Sequence, residues 1–209
     1  MTAADHRFDQ AAAEAAGIDA SSFYGPEMSA ALAKLASTFT RRDDVVTLVA
    51  EGGVGVELGV AAGDFSQRVL NYPHIGHLYS IDMWSGDHGH GMEEYREAVA
   101  RLNPYRDRNS VIRLRFDEAL PLFADESLDF IYVDGYAHDG ELDGQTFRDW
   151  FPKLKRGGIM AGDDYAPDWP LVVKAVDAFC LDRALELHVI DCHEITWNSR
   201  YPTWFAMKP

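Results

Sequence analysis

The chain has 209 residues, enough for one domain of ordinary size, and its 47% hydrophobic and 12% aromatic content can fill a substantial core. Its 19 Lys and Arg stand against 34 Asp and Glu, a formal net charge of −15. Affinity for nucleic acid rests mainly on cations that neutralise phosphates, so this balance disfavours a nucleic-acid partner and an anionic membrane surface.

Residues 1–20 carry Asp5, Asp9, Glu14 and Asp19 among alanines, unlike the cationic start and apolar middle of a signal peptide. No apolar run reaches the ~18 residues of a membrane span. Cys180 and Cys192 have no metal-like spacing and suit a reducing compartment. The expectation is a cytoplasmic protein.

In chain order, residues 1–22 read as an Ala-rich arm. Met28, Ala31, Leu32, Leu35, Ala36 and Phe39 then fall at helical spacing behind Pro26, predicting a covering helix over 27–40. Residues 1–43 are thus read as arm and covering helix, and 44–209 as the main domain. There, strands are predicted at Val54–Leu58, His77–Ile81, Val111–Leu114, Leu128–Val133 and Gly158–Ala161. Between and after them come helices at Phe65–Leu70, Met92–Leu102, Glu118–Phe123, Leu142–Leu154 and Leu171–Arg183. Two last strands, Leu185–Ile190 and Trp204–Met207, have no helix between them and predict a hairpin. The alternation implies βαβ units: an α/β, Rossmann-like, mostly parallel seven-stranded sheet with helices on both faces and a C-terminal antiparallel hairpin.

The most informative stretch is Val56-Glu-Leu-Gly-Val-Ala-Ala-Gly-Asp-Phe-Ser66, a strand, a glycine-bearing turn and a helix start. Such a loop lies at the carboxyl edge of the sheet, where open α/β folds bind ligands. The dinucleotide fingerprint GxGxxG is absent. Glu57, just before the turn, would repel a pyrophosphate and suits a ligand with cationic groups, such as the ammonium and sulfonium of S-adenosylmethionine. Asp82 ends the second strand, at an offset where an acid accepts hydrogen bonds from ribose hydroxyls.

A second feature is acidic. Phe130-Ile-Tyr-Val-Asp134 and Gly157-Gly-Ile-Met-Ala-Gly-Asp-Asp-Tyr165 are apolar strands ending in carboxylates. Neighbouring strands lie about 4.8 Å apart, so Asp134, Asp163 and Asp164 are expected to converge beside the glycine loop. Their repulsion calls for a compensating proton or a hard cation.

These residues resemble class I S-adenosylmethionine-dependent methyltransferases, whose first motif runs acidic-x-Gly-x-Gly-x-Gly. Glu57, Gly59 and Gly63 match and Ala61 departs. The resemblance covers roughly residues 54–207 and marks 44–209 as the cofactor-binding domain. It implies a cofactor set of Glu57, Gly59, Gly63, Ser66, Asp82, Met83, Phe116 and Asp117, the last two beside the adenine. The segment Asp134-Gly135 to His138, with Leu154–Gly158 and Asp163-Asp164-Tyr165, is similar to metal-dependent O-methyltransferases of the macrocin, aminocoumarin-sugar and catechol types. That resemblance implies a divalent cation, usually Mg²⁺, on Asp134, Asp163 and Asp164. Asp134 and His138 are then the catalytic candidates, His138 as general base.

The implied activity is O-methylation of a small hydroxylated acceptor: a sugar, a polyketide or a catechol. A catalytically silent cofactor-binding module and a nicotinamide-dependent oxidoreductase are the alternatives. A homo-oligomer is left open. Asp87, His88 and His90 read as a solvated loop, and Trp197, Tyr201 and Trp204 as core of the hairpin.

Overall fold

The computed structural model describes residues 26–86, 90–135, 142–191 and 200–209. Helix α1 spans Pro26–Ala36 and is followed by a 3₁₀ segment, Arg42–Leu48. Strand β1 (Gly53–Leu58), helix α2 (Asp64–Leu70), β2 (Ile75–Asp82) and α3 (Met92–Leu102) follow. Next come β3 (Asn109–Arg113), α4 (Phe116–Ala119), β4 (Leu128–Val133), α5 (Gln145–Trp150) and β5 (Leu154–Gly162). Helix α6 (Pro170–Asp182), β6 (His188–Ile190) and β7 (Thr203–Met207) complete the order.

The seven strands form one sheet in the order β3-β2-β1-β4-β5-β7-β6. β1 to β5 pair in parallel, and β7 runs antiparallel to both β5 and β6. The expected Rossmann-like fold and C-terminal hairpin are therefore present. Chain order reverses at β1 and β4, which places the loops after these two strands at the switch point of the sheet. Among the described residues, no helix is long and apolar enough to cross a membrane.

Side-chain alternation along each strand supplies two cores. Val56, Leu58, Ile131, Val133 and Met160 face one way, under Phe147 and Trp150 of α5 and Val172, Val176 and Phe179 of α6. Leu78, Phe130, Tyr132, Ile159 and Phe205 face the other, under Phe39, Val45, Val46, Phe65 and Val69. Glu57 belongs to this second face, with Ser80 and Tyr132 as its register partners on β2 and β4.

The segment between α1 and β1 departs from the expectation. The covering helix stops at Ala36, not residue 40, because Ser37 Oγ and Thr38 Oγ1 donate back to the Lys34 and Leu35 carbonyls, both at 2.7 Å. The Arg41-Arg42-Asp43-Asp44 run opens the 3₁₀ segment, with Arg41 as its N-cap. Asp44 Oδ2 accepts the Thr40 and Arg41 amides, each at 2.9 Å. Asp43 is buried and receives Tyr72 Oη at 3.0 Å and Arg68 Nη1 at 3.3 Å from α2 and its C-terminal turn. These contacts fix the segment against the sheet and deliver Arg42 inward. Asp43→Ala should lower the unfolding free energy by about 2 kcal/mol, the scale of lost hydrogen bonds to a charged acceptor. Urea denaturation checks it, and a change within a few tenths would show that Val45 and Val46 hold the segment without it.

Candidate functional site

The turn after β1 is held by its neighbours across the sheet edge. Gly59 has φ 97°, and a Cβ there would lie 2.0 Å from the Asp134 carbonyl oxygen. Only glycine lets the β1 turn and the chain leaving β4 approach this closely. Gly135 is similarly pressed, since a Cβ on it would lie 2.5 Å from Phe116 Cζ. Gly59, Asp134, Gly135 and Phe116 thus converge at the carboxyl edge of the sheet. A cavity of about 240 Å³ adjoins them, lined by Arg115, Phe116, Asp117, Leu142, Thr146 and Trp150 among others.

Asp82 organises the same turn. Its Oδ2 accepts the backbone amides of Val60 at 2.9 Å and Ala61 at 3.1 Å, and its Oδ1 accepts that of Trp84 at 3.0 Å. Trp84 Nε1 in turn donates to the Ala61 carbonyl at 2.8 Å. Ala61, the position where the family motif has glycine, sits at φ 47°. The departure is therefore one of backbone conformation as well as bulk: an alanine held left-handed by hydrogen bonds on both sides. Gly63 has φ 82° and precedes α2 as its N-cap.

Glu57 lies deeper than a ligand-facing acid, at 1% exposure. Ser66 Oγ donates to its Oε2 and meets Ser80 Oγ at 2.8 Å. Burial raises the Glu57 carboxyl well above the usual range; Ser66 and Arg42 oppose that rise, while Asp134 and Asp82 add to it. Glu57 and Ser66, expected at the cofactor, lie buried beneath the turn and are hydrogen-bonded to each other. Met83 is half-buried, and its carbonyl accepts Arg113 Nε at 3.2 Å. Asp117 lies at the surface, where the hydrogen bond from Arg115 Nε at 3.0 Å lowers its pKa.

Sequence reading missed the group at the centre of the acidic cluster. Arg42 Nη1 donates to Asp134 Oδ2 at 2.8 Å and to Asp163 Oδ2 at 3.0 Å. Its guanidinium carbon lies 4.5 Å from the Phe65 ring centroid. Burial alone would lower the Arg42 pKa, but Asp134, Tyr132, Asp163 and Glu57 raise it overall and keep it charged. Asp163 also accepts Thr203 Oγ1 at 3.2 Å, and Thr203 meets Tyr132 Oη at 3.2 Å. Burial, then Asp134, pushes the Asp163 carboxyl up to about 7 against the pull of Arg42. Asp164 is buried beside it with φ 61°.

The expected divalent cation does not fit this arrangement. A bridging Mg²⁺ or Ca²⁺ would need carboxylate oxygens about 2.0–2.6 Å away, and the place between Asp134 and Asp163 is filled by Arg42 Nη1. Among the described residues, no group of three or more His, Cys, Asp or Glu is arranged to hold a metal. The compensation expected from a metal comes from a guanidinium. His138, Asp87, His88 and Trp197 lie outside the described residues. Trp204 is fully buried core, as expected, while Tyr201 is half-buried with its ring edge-on to Trp169.

S-adenosylmethionine does suit the residues present. Glycine stands where a side chain would clash, at Gly59 and Gly135, and among the described residues the edge around them carries Asp82, Asp134 and Asp163 against the one buried guanidinium of Arg42. That surplus of negative charge complements a sulfonium and an ammonium.

Comparison with known proteins agrees with the fold. Residues 56–165 match a family described as a methyltransferase domain. The chain is 31% identical over 116 residues to the uncharacterized protein y4gI of Sinorhizobium fredii, a match spanning 53% of this chain and 12% of that protein. The precorrin-6y C5,15-methyltransferase of Geobacter metallireducens superposes with TM-score 0.61 at 15% identity, over 80% of this chain and 87% of that one. An S-adenosylmethionine-dependent O-methyltransferase of Thermotoga maritima gives 0.59 at 13%, over 80% and 64%. Spermidine synthase of the same organism gives 0.59 at 14%, over 78% and 56%. At these identities the structures share the fold, which carries more than one chemistry.

Two outcomes test the site. Glu57 holds its proton in the native state above the pH, about 4.3, at which the unfolded chain releases it. Stability contributed at low pH is therefore lost as pH rises through that window. Glu57→Gln should consequently gain stability relative to the parent as pH rises above about 4.3. A pH series of thermal melts with a constant difference would mean that Glu57 stays ionised when buried. Ala61→Gly should leave stability unchanged or raise it by up to about 1 kcal/mol, whereas Ala61→Val should cost at least about 1 kcal/mol. Chemical denaturation of both variants checks the left-handed turn, and equal effects would contradict it.

Proposed function

The chain belongs to the family of methyltransferase domains; from that premise we propose that it is an S-adenosylmethionine-dependent methyltransferase and that it methylates the oxygen of a small hydroxylated acceptor. The observation that carries this reading is the pair Asp134 and Asp163, bound to one guanidinium nitrogen at the strand ends beside the Gly59 turn. Carboxylates at that edge can accept the proton side of an acceptor hydroxyl, and the net charge of −15 disfavours polyanionic acceptors.

S-adenosylmethionine, when bound, supplies an electrophilic methyl group on a sulfonium. Gly59 and Gly135 let the β1 turn, the chain leaving β4 and Phe116 close on one another, and Asp82 keeps the amides of Val60 and Ala61 in place. Ribose hydroxyls would meet Asp82, with Met83 next to it, and the adenine would lie by Phe116 and Asp117. Glu57 and Ser66 support the turn from below. Asp134 orients the acceptor hydroxyl, and His138 takes its proton. A group holding the acceptor and a positioned base together account for methyl transfer by proximity and proton removal. The divalent cation implied by the sequence has no part in this proposal.

Spermidine synthase shares the fold, so the transferred group is the first thing to measure. The protein should convert methyl-deuterated S-adenosylmethionine and a panel of sugars, catechols and polyketides into O-methylated product by mass spectrometry. Transfer confined to amines would overturn the oxygen assignment. Asp82→Ala should weaken S-adenosylhomocysteine by roughly 1–3 kcal/mol in calorimetry, through both the lost acceptor and the loosened turn. His138→Ala should lower turnover about 10²-fold with cofactor affinity intact. A fully active His138→Ala would hand the proton to another group.

A further inference from the structure

We propose that Arg42 is an internal counter-cation standing where a divalent metal would bridge Asp134 and Asp163, and that this domain's acidic cluster therefore binds no metal. The inference deepens the reading of the same site, but its test does not depend on methyl transfer.

The geometry is that of a bridge. One nitrogen, Arg42 Nη1, lies 2.8 Å from Asp134 Oδ2 and 3.0 Å from Asp163 Oδ2. A metal between the same two oxygens would have to displace it. Arg42 has little room to leave: its side chain is 6% exposed, its guanidinium packs on Phe65, and its backbone belongs to a 3₁₀ segment pinned by Asp43 and Asp44. If it stayed, a metal would enter beside a permanent positive charge in a buried setting, where like charges repel strongly.

A second observation points the same way. Arg42 Nε is buried with no hydrogen-bond partner. A donor in that state is satisfied by an arriving acceptor and made worse by another cation. The open valence of the cluster therefore suits an oxygen-bearing ligand. Arginine is apt for this duty because its guanidinium stays charged when buried and its donors reach two carboxylates at once.

The experiment is a titration of the full chain with Mn²⁺ alone, followed by loss of the free-ion signal in electron paramagnetic resonance. The parent protein should leave millimolar Mn²⁺ free. Arg42→Met keeps a long apolar stem over Phe65 but removes the charge, and should bind Mn²⁺ about tenfold or more tightly than the parent. Adding Asp163→Asn to it should remove the gain. Arg42→Lys, which restores a cation, should again leave the ion free. Mn²⁺ binding by the parent that Asp163→Asn abolishes would overturn the proposal. A folded Arg42→Met that gains no Mn²⁺ would overturn it as well, since the carboxylates would then form no cation site. Should Arg42→Met fail to fold, the parent and Asp163→Asn alone decide between a cluster that binds Mn²⁺ and one that does not.

Discussion

Carboxylates cannot be gathered at one buried edge of a sheet without a proton or a positive charge among them. Here that charge is Arg42, and much of the local architecture serves to bring it there. Parallel pairing of β1, β4 and β5 puts the residues after their ends side by side, so Asp134 and Asp163 meet whether or not their charges favour it. Burial and mutual repulsion push Asp163 toward its neutral form, and the guanidinium opposes this. Removing one partner from such a group leaves an uncompensated buried charge, which costs far more than the intact pair gains.

The same constraint explains why the segment before β1 is ordered so firmly. Seven residues of 3₁₀ structure would be a weak element in isolation. It is anchored by Asp43 to α2 and the turn after it, by Asp44 to its own N-terminal amides, and by Val45 and Val46 to the sheet. Arg42 emerges from it between Phe65 and the carboxylates. Polar contacts then continue across the same face: Asp163 to Thr203 to Tyr132, and separately Glu57 to Ser66 to Ser80 to Asn109. Each buried polar group in these two chains has a partner, as the low dielectric demands.

On the ligand side the backbone carries the load. The turn after β1 is shaped by Gly59, which admits the chain leaving β4, and by Asp82, which takes up three amides that would otherwise need other partners. Trp84 closes the arrangement from outside. A turn organised in this way presents a preformed surface, so less ordering remains to be done when a ligand arrives. That Ala61 tolerates a left-handed conformation follows from this clamp: the hydrogen bonds to both ends of its peptide units outweigh a strain of about 1–2 kcal/mol.

The sequence by itself determined the layering and its active edge. Apolar alternation in Val54–Leu58 and Leu128–Val133, glycine punctuation at Gly59 and Gly63, and strands ending in Asp82, Asp134 and Asp163 are local signals, and local signals survive without knowledge of the fold. They placed the strands to within a few residues, the antiparallel last strand, and the convergence of Asp134 and Asp163 beside the Gly59 turn. Only the tertiary structure decided what each polar group faces. Glu57 was read as a ligand contact because it precedes the turn; strand alternation sets it on the inner face beneath α2, hydrogen-bonded to Ser66. Arg42 drew no site role, falling in the 1–43 stretch read as arm and covering helix, and its partners lie 92 and 121 residues away. Charge compensation depends on distance in space, and a contact of that sequence separation leaves no periodicity or spacing for a reader of the chain to find.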